Sequence, residues 1–98
     1  MTTHDPMRIP TNEIILGRPI RCYDNGGRSA DRYTAVYLFS PERAYRSYSA
    51  VGMDDRPFHP QGIGMHCAAV PGKHLGKRIR FTDLPIDCQK AVTQDLTP

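Results

Sequence analysis

Apolar and polar positions alternate along Ile20-Arg21-Cys22-Tyr23, the pattern of a strand with one buried face. Asp24-Asn25-Gly26-Gly27 stops that run with residues that tolerate positive φ, which predicts a turn or wide loop. Arg32-Tyr33-Thr34-Ala35-Val36-Tyr37-Leu38-Phe39 is aromatic and β-branched, and predicts a second strand. It runs into Ser40-Pro41-Glu42-Arg43, a type I turn with Pro at its second position. Ala44 to Val51 then returns antiparallel, with Tyr45 and Tyr48 covering one side of the ribbon. From Gly52 to Gly72 four glycines and three prolines predict loop, interrupted by a short strand at Met65-His66-Cys67-Ala68. Lys77-Arg78-Ile79-Arg80-Phe81 alternates again as an edge or closing strand, so that Arg78 and Arg80 project together from one face.

The pattern changes period near the C-terminus. Leu84, Cys88, Ala91, Val92 and Leu96 fall on one helical stripe, Pro85 suits the first helical position, and Asp83 and Asp87 place negative charge at the positive end of the dipole. A helix this short is marginal in water and gains stability by packing on a sheet. The expected fold is therefore α+β: a small antiparallel β-sheet of three to five strands with a C-terminal helix packed on one face. Residues 1–12, with Pro6 and Pro10 among polar groups, read as an extended arm, and residues 13–98 as one domain.

Composition narrows the functional classes. A chain of 98 residues can build two packed layers but no deep cofactor cavity, which lowers the expectation of an enzyme. No stretch is long and apolar enough to span a bilayer, and the N-terminus lacks the basic run and apolar segment of a secretory signal. Three widely separated cysteines without a C-x-x-C pair indicate neither a disulfide framework nor a zinc ribbon, so reduced thiols in the cytoplasm are expected. The formal charge of +3 permits contact with nucleic acid and argues against an acidic mimic of DNA.

His59, His66, Cys67 and His74 offer good zinc ligands at unsuitable intervals, and adjacent His66 and Cys67 would point to opposite faces of a strand; loop histidines with local hydrogen bonds are expected instead. Cys67 or Cys88 with His59 or His74 could make a nucleophile and base, but nothing local activates either sulfur, and Cys88 sits on the apolar helix stripe. Neither glycine-bearing stretch, 24–28 nor 62–64, matches a phosphate-binding loop. No catalytic residue, metal, cofactor or small-molecule substrate is therefore expected. Lys73-His74-Leu75-Gly76-Lys77-Arg78-Ile79-Arg80 is the densest basic segment and, with Arg28 and Arg32, could form a cationic patch for phosphates. Tyr23, Tyr33, Tyr37, Tyr45 and Tyr48 could stack bases, although packing is the commoner use of such residues.

Tyr23-Asp24-Asn25-Gly26-Gly27, Asp31-Arg32-Tyr33-Thr34, His59-Pro60-Gln61-Gly62, His74-Leu75-Gly76-Lys77-Arg78-Ile79 and Asp83-Leu84-Pro85, spanning residues 22 to about 96, resemble a family of small proteins carried by phages and other mobile elements. Such proteins are similar in size and genetic setting to anti-CRISPR inhibitors. The resemblance implies a plug in the host bacterial cytoplasm that binds CRISPR-Cas effector subunits, with guide RNA within reach, and blocks target DNA or nuclease recruitment. Expected partner contacts are Arg28, Arg32, Lys73, Lys77, Arg78 and Arg80, with Asp24 and Asn25 shaping the neighbouring loop; Asp54, Asp55 and Arg56 are weaker candidates. The alternative is a stand-alone RNA- or DNA-binding module that uses the tyrosines and the basic strand.

Overall fold

The computed structural model describes residues 12–98; the expected arm lies, apart from Asn12, outside the described residues. Strands β1 (Glu13–Ile15), β2 (Arg18–Asp24), β3 (Tyr33–Pro41), β4 (Tyr48–Met53), β5 (Gly64–Ala69) and β6 (Lys77–Ile79) precede one helix, α1 (Ile86–Leu96). The sheet is antiparallel and six-stranded, in the order β1-β2-β3-β4-β5, with β6 also paired to β2. β1 covers Arg18 to Ile20 and β6 covers Cys22 to Asp24, so the two short strands share one edge of β2. The Glu13 carboxylate fixes the junction by accepting the Phe81 N–H at 2.9 Å.

Residue chemistry accounts for the turns. Leu16 and Gly17 both take positive φ, 50° and 79°, which suits a two-residue hairpin whose twist matches its strands. After β2, Gly26 and Gly27 adopt φ of 75° and 91°, as the glycine pair predicts.

Both faces of the sheet are used. Ile20, Cys22, Ala35, Tyr37, Val51 and Met53 meet Phe81, Leu84, Cys88, Val92 and Leu96 in the main core, so the predicted helical stripe lies on the sheet. The opposite face carries a smaller cluster of Tyr23, Val36 and Ala50, against which Leu38, Tyr48, Ala69 and Leu75 pack.

Several boundaries differ from the sequence reading. β3 runs through Pro41, which pairs with Tyr48, and the reversal comes at 42–47, closed by Glu42 N–H to Ser47 carbonyl at 3.0 Å. Proline is tolerated there because the register slips between Val36 and Pro41, and an irregular ladder can spare a donor. Tyr45 consequently sits on the turn, 79% exposed, and does not join Tyr48 on a ribbon face. β6 ends at Ile79, and Phe81 enters a 3₁₀ turn (Phe81–Asp83) where its ring is buried in the main core; Arg80 leaves the strand, so Arg78 and Arg80 do not share a strand face. Pro85 is the residue before the helix rather than its first position, because that 3₁₀ turn consumes the preceding residues. The helix stops at Thr97, whose extended backbone is the conformation favoured before Pro98.

Candidate binding site

Apart from Arg80, the predicted contact residues gather around one end of β2, on the loop that follows Asp24 and on the segment that pairs with it. Asp24 accepts from Arg32 through both carboxylate oxygens, Nε at 2.8 Å and Nη2 at 3.1 Å, and accepts the Gly26 N–H at 2.7 Å. The Arg32 guanidinium, ahead of the Gly26 amide, holds the Asp24 carboxyl below its ordinary range. Arg32 also lies over the Tyr33 ring, 5.1 Å from its centroid. Asn25 ties the loop from within: Oδ1 accepts the N–H groups of Gly27 and Arg28 at 2.8 and 3.0 Å, while Nδ2 donates to Ser29 Oγ at 2.7 Å. Arg28 donates through Nε to the Asn25 carbonyl at 3.2 Å. Asp24 and Asn25 thus spend their polar atoms on the loop itself.

A second segment closes on this loop. The 3₁₀ turn Lys73–Leu75 drops Leu75 onto the smaller core, and Gly76 follows with φ 112°. A Cβ at Gly76 would stand 2.3 Å from the Asp24 carbonyl oxygen, so the two segments approach as only glycine permits. β6 then sets Lys77 opposite Asp24 and Arg78 opposite Tyr23. Tyr23, Gly72, Lys73, Gly76, Lys77 and Arg78 enclose a mostly apolar hollow of about 560 Å³. Lys73 and Lys77 are exposed at its rim, whereas Arg80 lies beyond the end of β6 and outside its lining. Asp54 is occupied in its own loop, accepting the Arg56 N–H at 2.9 Å.

Comparison with protein-family models, curated proteins and solved structures found no match to this chain.

One polar cluster was missed by the sequence reading. Asp95 on α1 accepts the Tyr37 hydroxyl at 2.6 Å and lies 2.8 Å from His66 Nε2. Burial, then the bond to Asp95, raises the Tyr37 phenol above its ordinary range. His66 lies on β5, where the sequence places a short strand, but its partner is long-range rather than local; His59 does bond locally, accepting the Gln61 N–H at 3.1 Å. The signal was present: Asp95 is three residues past Val92, on the flank of the apolar stripe. The Cys67 side chain points away from this cluster, on the face of Ala50. Burial pushes the Cys22 and Cys88 thiols up to about 12. Among the described residues no three His, Cys, Asp or Glu side chains gather as metal ligands, and no helix is long and apolar enough to cross a membrane.

The tyrosines do not form a shared stacking platform. Tyr23 and Tyr37 are buried on opposite faces, and Tyr45 sits on the exposed 42–47 turn with the Arg46 guanidinium 4.9 Å from its ring centroid.

Proposed function

We propose that this protein works by binding, and that its partner is a bacterial CRISPR effector complex whose target-DNA binding or nuclease recruitment it blocks. The observation that carries the binding surface is the apolar hollow rimmed by Lys73, Lys77 and Arg78, beside a loop stiffened by the Asp24–Arg32 pair. An apolar floor with a cationic rim suits an acidic or phosphate-bearing surface that also offers an apolar group: the floor gains from desolvation, and the rim steers encounter. The choice of a CRISPR effector rests on the family resemblance of residues 22 to about 96. Guide RNA and acidic subunit surfaces of such a complex carry the charge opposite to the rim and so complement it.

The test is binding of the purified protein to assembled effector complexes carrying guide RNA, with a K73E/K77E variant beside the wild type. Binding that inhibits target recognition and falls only shallowly with salt, and its loss in the variant, is expected. Absence of binding to any assembled effector would refute the partner; equal affinity of wild type and K73E/K77E would refute the surface. Binding to free RNA or DNA with a steep inverse salt dependence would favour the stand-alone nucleic-acid module, a reading weakened by the burial of Tyr23 and Tyr37.

A further inference from the structure

The two edges of the sheet are finished differently. At β2, backbone groups turned away from β3 are met by β1 and β6, three residues each, which carry charge at Glu13, Lys77 and Arg78. At the far side β5 pairs with β4 and, among the described residues, with no further strand. Its sequence, Gly-Met-His-Cys-Ala-Ala, contains no Lys, Arg, Asp, Glu or Pro, and its six-residue register with β4 is free of bulges. Charge, proline, bulges and short length are the devices that keep sheet edges from pairing, and β5 lacks them. Gly64 through Ala68 are all exposed, with Met65 at 57% and neighbouring Val70 at 40%.

The phase of the ladder decides which backbone groups are on offer. The Asp54 N–H donates to the Ile63 carbonyl at 3.0 Å, in step with the β4–β5 register, and marks a hydrogen-bonded pair. Bonded and non-bonded pairs alternate along an antiparallel ladder. Met65, Cys67 and Ala69 therefore direct their N–H and C=O groups to β4, and Gly64, His66 and Ala68 direct theirs outward. Counting from the β2–β3 side gives the same phase: Asn25 N–H to Arg32 carbonyl, 3.0 Å, sets Tyr33 and Ala35 toward β4, leaving Ala50 and Gly52 for β5.

We propose that β5 is a homodimer interface, on which a second copy of this chain adds its own β5 antiparallel about a two-fold axis through Cys67. The argument for a second copy is self-complementarity. With the axis at Cys67, His66 faces the partner's Ala68 and Ala68 faces the partner's His66. Each of these residues points outward, so each facing pair exchanges both N–H and C=O. At the ends Gly64 faces the partner's Val70, the first residue past the strand. A register offset by one residue would set an outward residue against an inward one and forfeit the bonds. An axis at His66 satisfies the phase but brings together two imidazoles already engaged with Asp95, and an axis at Ala68 shifts the overlap toward Pro71. The interface contains no like charges to repel, although the chain carries a net +3. This pairing is independent of the binding site at β2 and β6, which lies at the opposite edge.

The axis leaves a chemical signature. Facing Cys67 residues form a non-hydrogen-bonded pair, for which the Cα separation is about 4.5 Å, within the roughly 4.4–6.8 Å span of disulfides. Diamide, which takes up two hydrogen atoms to become a hydrazine, should join the two thiols as one disulfide. Sedimentation of the reduced wild type is expected to give twice the chain mass. Ala68→Pro removes an outward N–H while sparing the ladder to β4, and Cys67→Lys sets two ammonium groups face to face at the axis; both should sediment as folded monomers by circular dichroism. Diamide should yield a Cys67-linked dimer from wild type and none from Cys67→Ser. A wild type that is monomeric at every loading, folded A68P and C67K that remain dimers, or a dimer that diamide cannot cross-link at Cys67 would each overturn the proposal. Should both variants misfold, the wild-type mass and the Cys67 cross-link decide.

Discussion

At the residue scale, two polar contacts give opposite pH signatures. The Asp24 carboxyl, lowered chiefly by Arg32, stabilises the fold above the unfolded value of about 4, and that contribution is lost as pH falls through the lowered folded value. Asp24→Asn should therefore lower the neutral plateau modestly and flatten the acid limb of stability against pH, so that denaturant midpoints of variant and wild type converge below pH ~4. Tyr37 behaves in reverse. Its phenol is raised by burial and by Asp95, so its contribution is present below about pH 10 and lost as pH climbs through the folded value. Tyr37→Phe should flatten the alkaline limb and cost about 1–2 kcal/mol at neutral pH, since a donor to a carboxylate is removed. The thiols separate just as clearly. Cys22 and Cys88 are fully buried, so Cys67→Ser should show no reaction with a thiol reagent until denaturant is added.

At the element scale, the sequence was most legible where a single period persists. The stripe Leu84, Cys88, Ala91, Val92, Leu96 could be read because each position serves the same core, and Val92 is fully buried there. Val92→Ala should cost about 2 kcal/mol in urea denaturation, against less than about 0.5 kcal/mol for Gln94→Ala on the exposed side. Legibility failed where local rules meet tertiary demands. Ser40-Pro41 has turn chemistry, yet the pairing of Pro41 with Tyr48 carries the strand past it. Lys77 to Phe81 alternates like a strand, yet Phe81 gains more from the main core than from another rung on β6. For the site, the loop at Asp24 and the basic segment were readable as separate pieces. Their junction was not, because the need for glycine at position 76 arises from the Asp24 carbonyl, far away in sequence. Gly76→Ala tests that junction: it should force the two segments apart, lower stability, and weaken partner binding more than any loss of folded protein explains, as titration of the folded fraction would reveal.

At the scale of the whole molecule, charge and edge are separated by the width of the sheet. The cationic rim sits on β6 and the turn before it, and the unprotected strand is β5, with β2, β3 and β4 between them. Pairing two β5 strands would make one continuous sheet with a cationic rim near each end. Nine strand spacings from β6 to its counterpart put the rims roughly 43 Å apart. Two rigidly held sites can engage a repeated or extended partner together, and the second contact then occurs at a high effective concentration. The paired protein should dissociate more slowly than Ala68→Pro from a densely immobilised partner and at the same rate from a sparse one, as surface-based kinetics would measure. That contrast separates avidity from damage to the site, because a damaged rim would speed dissociation at both densities. Equal dissociation of the two proteins at high density would mean that the rims act singly, whatever the oligomeric state.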